Sequence, residues 1–144
     1  MLQNFIDFCN TELGGAIVGL FGVLPIMAPV YLNDAKKGQL ISGVILGLAA
    51  GAYINNSLGV FELPFGMLML FFAFKATSSW TFVGIGWITH GILDVIHHNL
   101  GTPMFSYYDM SSLGCAVLDF VLGAWFLMGD KYLPRKKSLQ IQAA

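Results

Sequence analysis

The sequence predicts an all-α protein, a polytopic bundle of membrane-spanning helices that forms a single domain over residues 1–144. Of these 144 residues, 56% are hydrophobic and only 10% are charged, and the apolar residues fall into five long stretches. Soluble domains carry about 25% charged residues, and disordered chains combine low hydrophobicity with high net charge. The composition therefore indicates an integral membrane protein whose first partner is the lipid bilayer.

Five stretches approach the ~20 apolar residues with which a helix crosses ~30 Å of hydrocarbon. A polar turn at residues 33–39 separates the first two, and Pro64 suits the first turn of the third helix. The segment before Trp80 is either a turn or part of one long helix, so a four-span bundle is the second choice. The predicted spans are residues 13–32, 40–58, 63–80, 81–98 and 113–129, followed by a basic tail at residues 130–144.

The basic residues give the bundle a direction. Five crossings place all seven Lys and Arg residues on one side, whereas four crossings divide them between the two sides. Because cytoplasmic loops carry the excess of Lys and Arg, we expect a multi-pass protein of the cell (inner) membrane, with its N-terminus outside and its C-terminus in the cytoplasm. The first ten residues lack a basic region and a small-residue cleavage site, so we expect an interfacial turn or short helix there.

Charge, cysteine and glycine content narrow the classes of function. A net charge of -1 with seven basic residues offers no footprint for nucleic acid. Two cysteines, Cys9 and Cys115, are too few for a disulfide scaffold and could pair only if the N-terminal segment covers the outer mouth of the bundle. Seventeen glycines, with pairs such as Gly15 and Gly19, suit close packing of membrane helices, and a homo-oligomer is compatible with them.

The fourth predicted span carries an unusual set of ionisable residues. All three histidines, His90, His97 and His98, lie within nine residues, and Asp94 lies between them. At 100° per residue, these four side chains share one helical face. Ionisable groups inside a membrane are costly unless they face a partner or a water-filled cavity. Imidazoles and a carboxylate at this spacing predict a metal site, and a structural polar seam is the alternative.

Other polar residues are expected near the same depth, in the outer leaflet. The five-span topology places Asp119 level with His90 and Asp94, and it puts Glu62 at the outer end of the third span. Tyr53, Asn55 and Asn56 end the second span close by. This convergence predicts a polar pocket that opens to the outer leaflet.

Two serines precede the fifth predicted span. The hydroxyl and N–H groups of Ser111 and Ser112 lie at a helix N-terminus, where they could act as nucleophiles or hold an oxyanion. A plain N-cap role is the alternative for either serine.

Two motifs carry a resemblance to a known group of proteins. W-x-x-H-x-x-x-D-x-x-H-H begins at Trp87, and S-S-L-G-C-A-x-x-D begins at Ser111. Together they resemble a family of small bacterial and fungal integral membrane proteins grouped as a domain of unknown function. The resemblance covers residues 49–127 and implies a membrane bundle without naming an activity. Where that family often has Pro after the final Asp, this chain has Phe120, so we expect a less kinked fifth helix.

A looser likeness concerns chemistry alone. Membrane hydrolases of the ceramidase and adiponectin-receptor type also combine three histidines, an aspartate and a serine around zinc. They have seven spans and take their histidines from different helices, so the likeness is an analogy between sites and does not imply kinship.

The leading hypothesis is a metal-dependent membrane hydrolase that acts on a lipid or hydrophobic small molecule from the outer-leaflet side. Two or three of His90, Asp94, His97 and His98 would hold zinc, with Asp94 as the close partner of His90. Glu62 or Asp119 would orient the ligands or act as general base. The alternatives are a metal-free isomerase that uses the same acids with a histidine, a proton- or metal-linked transporter, and a structural membrane subunit.

Overall fold

The computed structural model describes residues 2–51, 59–105 and 108–128. Within these ranges the chain forms α-helices joined by short connections and contains no strand. The helices are α1 (Leu2–Cys9), α2 (Glu12–Tyr31), α3 (Ala35–Gly51), α4 (Glu62–Ala76), α5 (Trp80–Asn99) and α6 (Ser111–Met128), and a 3₁₀ turn (Gly59–Phe61) leads into α4. The predicted all-α class is confirmed. Tyr53, Asn55, Asn56 and the predicted tail lie outside the described residues.

Three of the described helical segments are long and apolar enough to cross a membrane. They are Glu12–Tyr31, Gly59–Ala76 and Ser111–Met128, which is compatible with an integral membrane protein. The sequence predicted five spans, and α3 and α5 do not meet the same standard. The described part of α3 has 17 residues, and α5, although it has 20, carries the ionisable cluster that lowers its hydropathy.

The connection between α2 and α3 is shorter than predicted. The polar turn expected at residues 33–39 comprises only Asn33 and Asp34, because α3 already begins at Ala35. Asp34 Oδ1 accepts a hydrogen bond of 3.0 Å from the backbone N–H of Lys37, as an N-cap residue does. Lys36 and Lys37 therefore lie in the first turn of α3. The polar residues of this segment belong mainly to the beginning of a helix and not to a loop.

The connection between α4 and α5 is a true break. Thr77 Oγ1 donates to the Phe74 carbonyl at 2.7 Å, and Ser78 Oγ donates to the Lys75 carbonyl at 3.1 Å. These bonds satisfy carbonyl groups that the end of α4 leaves without helical partners. The third and fourth predicted spans are therefore separate helices, and the merged helix of the four-span alternative is wrong.

The N-terminal segment forms the short helix α1. It is followed by Thr11, whose side chain accepts a hydrogen bond of 3.0 Å from the Gly14 N–H and so caps α2. None of the α1 residues is buried. The expectation of a short helix before the first span is confirmed, and its place at an interface stays a prediction.

Small residues bring α6 close to two neighbours. A Cβ added at Gly19 of α2 would meet the Gly114 carbonyl oxygen of α6, and a Cβ at Gly84 of α5 would lie 3.0 Å from the Gly123 carbonyl oxygen. Near one end of the bundle, the rings of Trp80 and Phe126 stack with centroids 5.5 Å apart. Backbone contact of this kind lets helices pack without a hydrophobic driving force between them, and it fixes α6 against α5, where the ionisable cluster lies.

Candidate metal centre

Three buried ionisable residues meet between α5 and α6. His90 Nδ1 lies 2.5 Å from Asp119 Oδ2 and 3.4 Å from Asp94 Oδ2. The exposed fractions are 3% for His90, 0% for Asp94 and 1% for Asp119. One possible ligand atom from each residue lies within 4.8 Å of the other two, so this triplet could hold a metal ion.

The backbone of α5 makes room for the carboxylate of α6. Gly91 follows His90, and a Cβ at this position would lie 3.1 Å from the Asp119 Cβ and 3.5 Å from the Ala116 carbonyl oxygen. Contacts of 3.0–3.4 Å are tighter than side-chain carbon atoms normally adopt, so a larger residue would push the helices apart. The glycine therefore allows Asp119 to reach the imidazole across the helix interface.

Two more residues contact the imidazole of His90, one from α5 itself and one from α3. The Trp87 ring meets it edge-on, with centroids 6.1 Å apart and an interplanar angle of 71°. The backbone carbonyl of Ala49 in α3 faces the same ring. Contacts from α3, α5 and α6 thus fix the orientation of His90, as a metal ligand requires.

The carboxyl group of Asp94 lies in a buried, acidic environment. Both of its oxygen atoms are inaccessible to solvent, and its polar neighbours among the described residues are the carboxyl group of Asp119 and the imidazole of His90. Burying an ionised carboxylate costs several kcal/mol, and a second carboxylate beside it adds repulsion. Asp94 and Asp119 therefore need a shared proton or a cation between them.

The pairing within the triplet differs from the sequence prediction. We expected Asp94 as the close partner of His90, but Asp119 makes the 2.5 Å contact and Asp94 lies 3.4 Å away. Residues four apart on a helix are neighbours stacked along one face. A carboxylate from the facing helix can instead approach the imidazole nitrogen head-on, which the sequence of α5 alone does not reveal.

The other two histidines do not join the triplet. His97 is buried, and its Nδ1 lies 2.9 Å from Thr102 Oγ1, while His98 is only half-buried. Glu62, 9% exposed at the start of α4, and His90 both lie near enough to His97 to interact with it electrostatically. The predicted site residues therefore form a buried triplet and, beside it, the pair of Glu62 and His97.

The two predicted nucleophiles are engaged by the loop before α6. Ser111 Oγ accepts a hydrogen bond of 2.9 Å from the Phe105 N–H. Ser112 Oγ accepts one of 3.0 Å from the Met104 N–H and donates one of 3.1 Å to the Thr102 carbonyl. These bonds tie the loop to α6, and they assign both hydroxyls a role in loop structure.

Thr102 is the residue that sequence reasoning missed. Its hydroxyl donates to the His97 carbonyl at 3.1 Å and contacts the His97 ring, so it orients that histidine. The only signal was the sequence Gly-Thr-Pro, which predicts a turn, and Gly101 does adopt a positive φ of 68° there.

Cys9 and Cys115 are both free thiols.

The fold and the site together define a class: a helical protein with apolar helices of membrane-spanning length and a buried His-Asp-Asp group. The chain belongs to the DUF6010 family, a family of unknown function whose match extends over residues 14–132. That range contains every candidate site residue, and membership in a family of unknown function agrees with the resemblance drawn from the sequence. No curated protein and no solved structure matches the chain.

Proposed function

We propose that this protein is a membrane-embedded, metal-dependent hydrolase in which His90, Asp94 and Asp119 hold a zinc ion. The observation that carries the proposal is the convergence of three possible ligands, each at most 3% exposed, from two neighbouring helices. Ionisable residues inside membrane helices are functional candidates by default, because burying them has a cost that packing does not recover.

The spacing of the triplet supports zinc. Zinc binds nitrogen and oxygen ligands at ~2.0–2.2 Å in tetrahedral geometry, which separates two ligand atoms by about 3.3 Å. The His90 to Asp94 distance of 3.4 Å already has this value. The His90 to Asp119 distance of 2.5 Å would have to open by less than about 1 Å on metal binding, a rotation within reach of one carboxylate.

His90, Asp94 and Asp119 would hold the ion through three ligands, and a bound zinc would supply a water whose pKa is lowered to about 7, so that this water could attack the carbonyl carbon of an ester or amide near neutral pH. The second oxygen of Asp94 would accept the proton of that water and pass it to the leaving group as the bond between that group and the carbonyl carbon breaks.

The proposal includes the predicted topology of five crossings, with the N-terminus outside. The 17 described residues of α3 and the 20 residues of α5 are about 26 and 30 Å long at 1.5 Å per residue, close to the hydrocarbon thickness. The polar face of α5 packs against other helices, so the ionisable side chains that lower the hydropathy of α5 do not contact lipid. In this topology the triplet and Glu62 lie in the outer half of the bilayer.

A second candidate rests on the short contact between His90 and Asp119. A distance of 2.5 Å places the imidazole nitrogen and the carboxylate oxygen in direct hydrogen-bond contact, and Asp94 beside it provides a second carboxyl group. Such a group can accept and return protons without a metal, as a membrane isomerase or a proton relay requires. This candidate differs from the first in that it needs no metal.

Hydrolysis by the purified protein tests the first candidate. Fluorogenic fatty-acyl esters and amides would be assayed in detergent, before and after treatment with a strong chelator and after zinc is restored. We expect chelation, His90→Ala and Asp119→Ala each to lower the rate by about 100-fold or more, with recovery on zinc addition only in the native protein. His98→Ala is the matched control and should retain activity. Hydrolysis that survives both the chelator and His90→Ala would refute the proposal.

A further inference from the structure

A cavity of about 430 Å³ lies between α3 and α4. Its volume falls within the ~300–1,000 Å³ of small-molecule sites. Among the described residues that line it, Glu62 is the one ionisable residue, and the others are apolar or glycine. The wall consists of Gly47, Ala50 and Gly51 from α3, and of Gly59, Glu62, Leu63, Gly66, Met67 and Leu70 from the 3₁₀ turn and α4. We call this cavity the α3–α4 groove.

Glycines in this groove leave space that no atom of the described residues 2–51, 59–105 and 108–128 fills. A Cβ added at Gly51 or Gly66 would meet nothing within 4 Å, whereas a Cβ at Gly43, outside the groove, would lie 2.7 Å from the Ala73 carbonyl oxygen. Helix contact therefore explains Gly43 but does not explain Gly51 or Gly66. Glycine in a helix is destabilising relative to alanine, and the effect that the described residues show for these two glycines is an open groove.

The groove faces the surroundings of the bundle along α4. Leu63, Met67 and Leu70 are 72%, 65% and 58% exposed, and in a bilayer such side chains contact lipid. The stretch from Glu62 to Leu70 is about 12 Å long at 1.5 Å per residue. An extended alkyl segment entering sideways from the membrane fits a groove of this length and polarity.

Glu62 gives the groove a polar end. Glu62, the first residue of α4, is 9% exposed, and it interacts electrostatically with His97. The ring of His97 is in turn near enough to His90 to interact with it. A carboxylate in a low-dielectric wall attracts a cation far more strongly than it does in water. Charge complementarity therefore favours an occupant with a positive polar end over a neutral or anionic one.

We propose that the α3–α4 groove binds the alkyl chain of a membrane amphiphile whose protonated amine pairs with Glu62. The inference rests on the proposed function, for which it names the substrate class, a long-chain ester or amide that also carries an amine at its polar end. In this proposal the Glu62 carboxylate pairs with the charged head group, and the open surface beside Gly51 and Gly66 contacts the alkyl chain.

Photo-labelling tests this binding site. The full-length protein in detergent would be irradiated with hexadecylamine that carries a diazirine in its chain, and the labelled peptides would be mapped by mass spectrometry. The matching hexadecanol diazirine is the neutral control probe. We expect the amine to label residues 47–51 and 59–70 preferentially, and to do so roughly tenfold better than the alcohol, the effect of one hydrogen bond to a charged group.

Variants separate groove binding from general contact with the helices. Gly66→Leu fills the groove without meeting the backbone, and Gly51→Leu does so from the opposite wall, so either variant serves if the other fails to fold. Both should reduce groove labelling to the level of the other helices. Ala28→Leu adds similar bulk on the exposed face of α2 and should change nothing. Glu62→Gln should keep labelling of the groove but abolish the preference for the amine.

The outcomes distinguish this inference from the proposed function. Labelling that is equal along all apolar helices, or that both leucine variants leave unchanged, would overturn the groove as a binding site. A preference for the amine that persists in Glu62→Gln would overturn the role of Glu62. A protein that labels in the groove as expected but binds no metal would support the groove while contradicting the metal-dependent hydrolase.

Discussion

Substitution of Gly19 by alanine should destabilise the protein, because α2 and α6 touch through their backbones at this point. The added Cβ would meet the Gly114 carbonyl oxygen and lie 3.1 Å from the Gly114 Cα. Neither atom belongs to a side chain that could rotate away, so the helices must separate. Overpacking of this kind costs about 1–3 kcal/mol, against a gain of about 0.5–1 kcal/mol when alanine replaces glycine in a helix.

Gly66→Ala is the matched control for this prediction. It brings the same gain in helix propensity, and its Cβ meets nothing within 4 Å. The two variants should therefore differ by about 1–3 kcal/mol, which corresponds to roughly 2–12 °C in Tm for a chain of this size. Thermal unfolding in detergent, followed by tryptophan fluorescence, measures the difference. A Gly19→Ala protein as stable as Gly66→Ala would refute the close packing of α2 against α6.

Three further predictions concern the site, its loop and the topology. Asp119→Asn keeps the shape of the side chain but removes its charge, so metal affinity measured by equilibrium dialysis should fall by at least about tenfold. Asp94→Ala should lower the affinity by a comparable factor. Unchanged affinity in both variants would exclude these residues as ligands. Ser112→Ala removes two half-buried hydrogen bonds, from the Met104 N–H and to the Thr102 carbonyl, and should cost about 1–3 kcal/mol in thermal unfolding. An unchanged Tm would mean that the loop does not depend on these bonds. A reporter fused before residue 1 should be exterior and one fused after residue 144 cytoplasmic; both on one side would require an even number of crossings.

The sequence predicts a helix accurately where the helix coincides with a long apolar stretch. It is less accurate where polar residues form the first turn of a helix. α2 and α6 begin and end within two residues of the predicted spans. The start of α3 was misplaced because Lys36, Lys37 and Gln39 look like a turn by composition. Their helical geometry is set by the Asp34 cap, a local hydrogen bond that hydropathy does not detect.

The candidate site was predictable on α5 and only in part beyond it. Helical periodicity alone places His90, Asp94 and His97 on one face, and all three are buried. The pairing of His90 with Asp119 depends on the rotation of α6 about its axis, which is set by contacts at small residues such as Gly91. Ser112 was predicted as a nucleophile or a cap because the need of the Met104 N–H for an acceptor appears only when the loop is folded.

Metal content of the detergent-purified protein tests the buried triplet most directly. Elemental mass spectrometry on the native chain should find one zinc ion per chain. His90→Ala and Asp119→Ala should lose it, because each removes one of three ligands, and His98→Ala should retain it. A native protein without stoichiometric metal, or a metal that both ligand variants keep, would contradict the metal centre and favour the metal-free acid–base group.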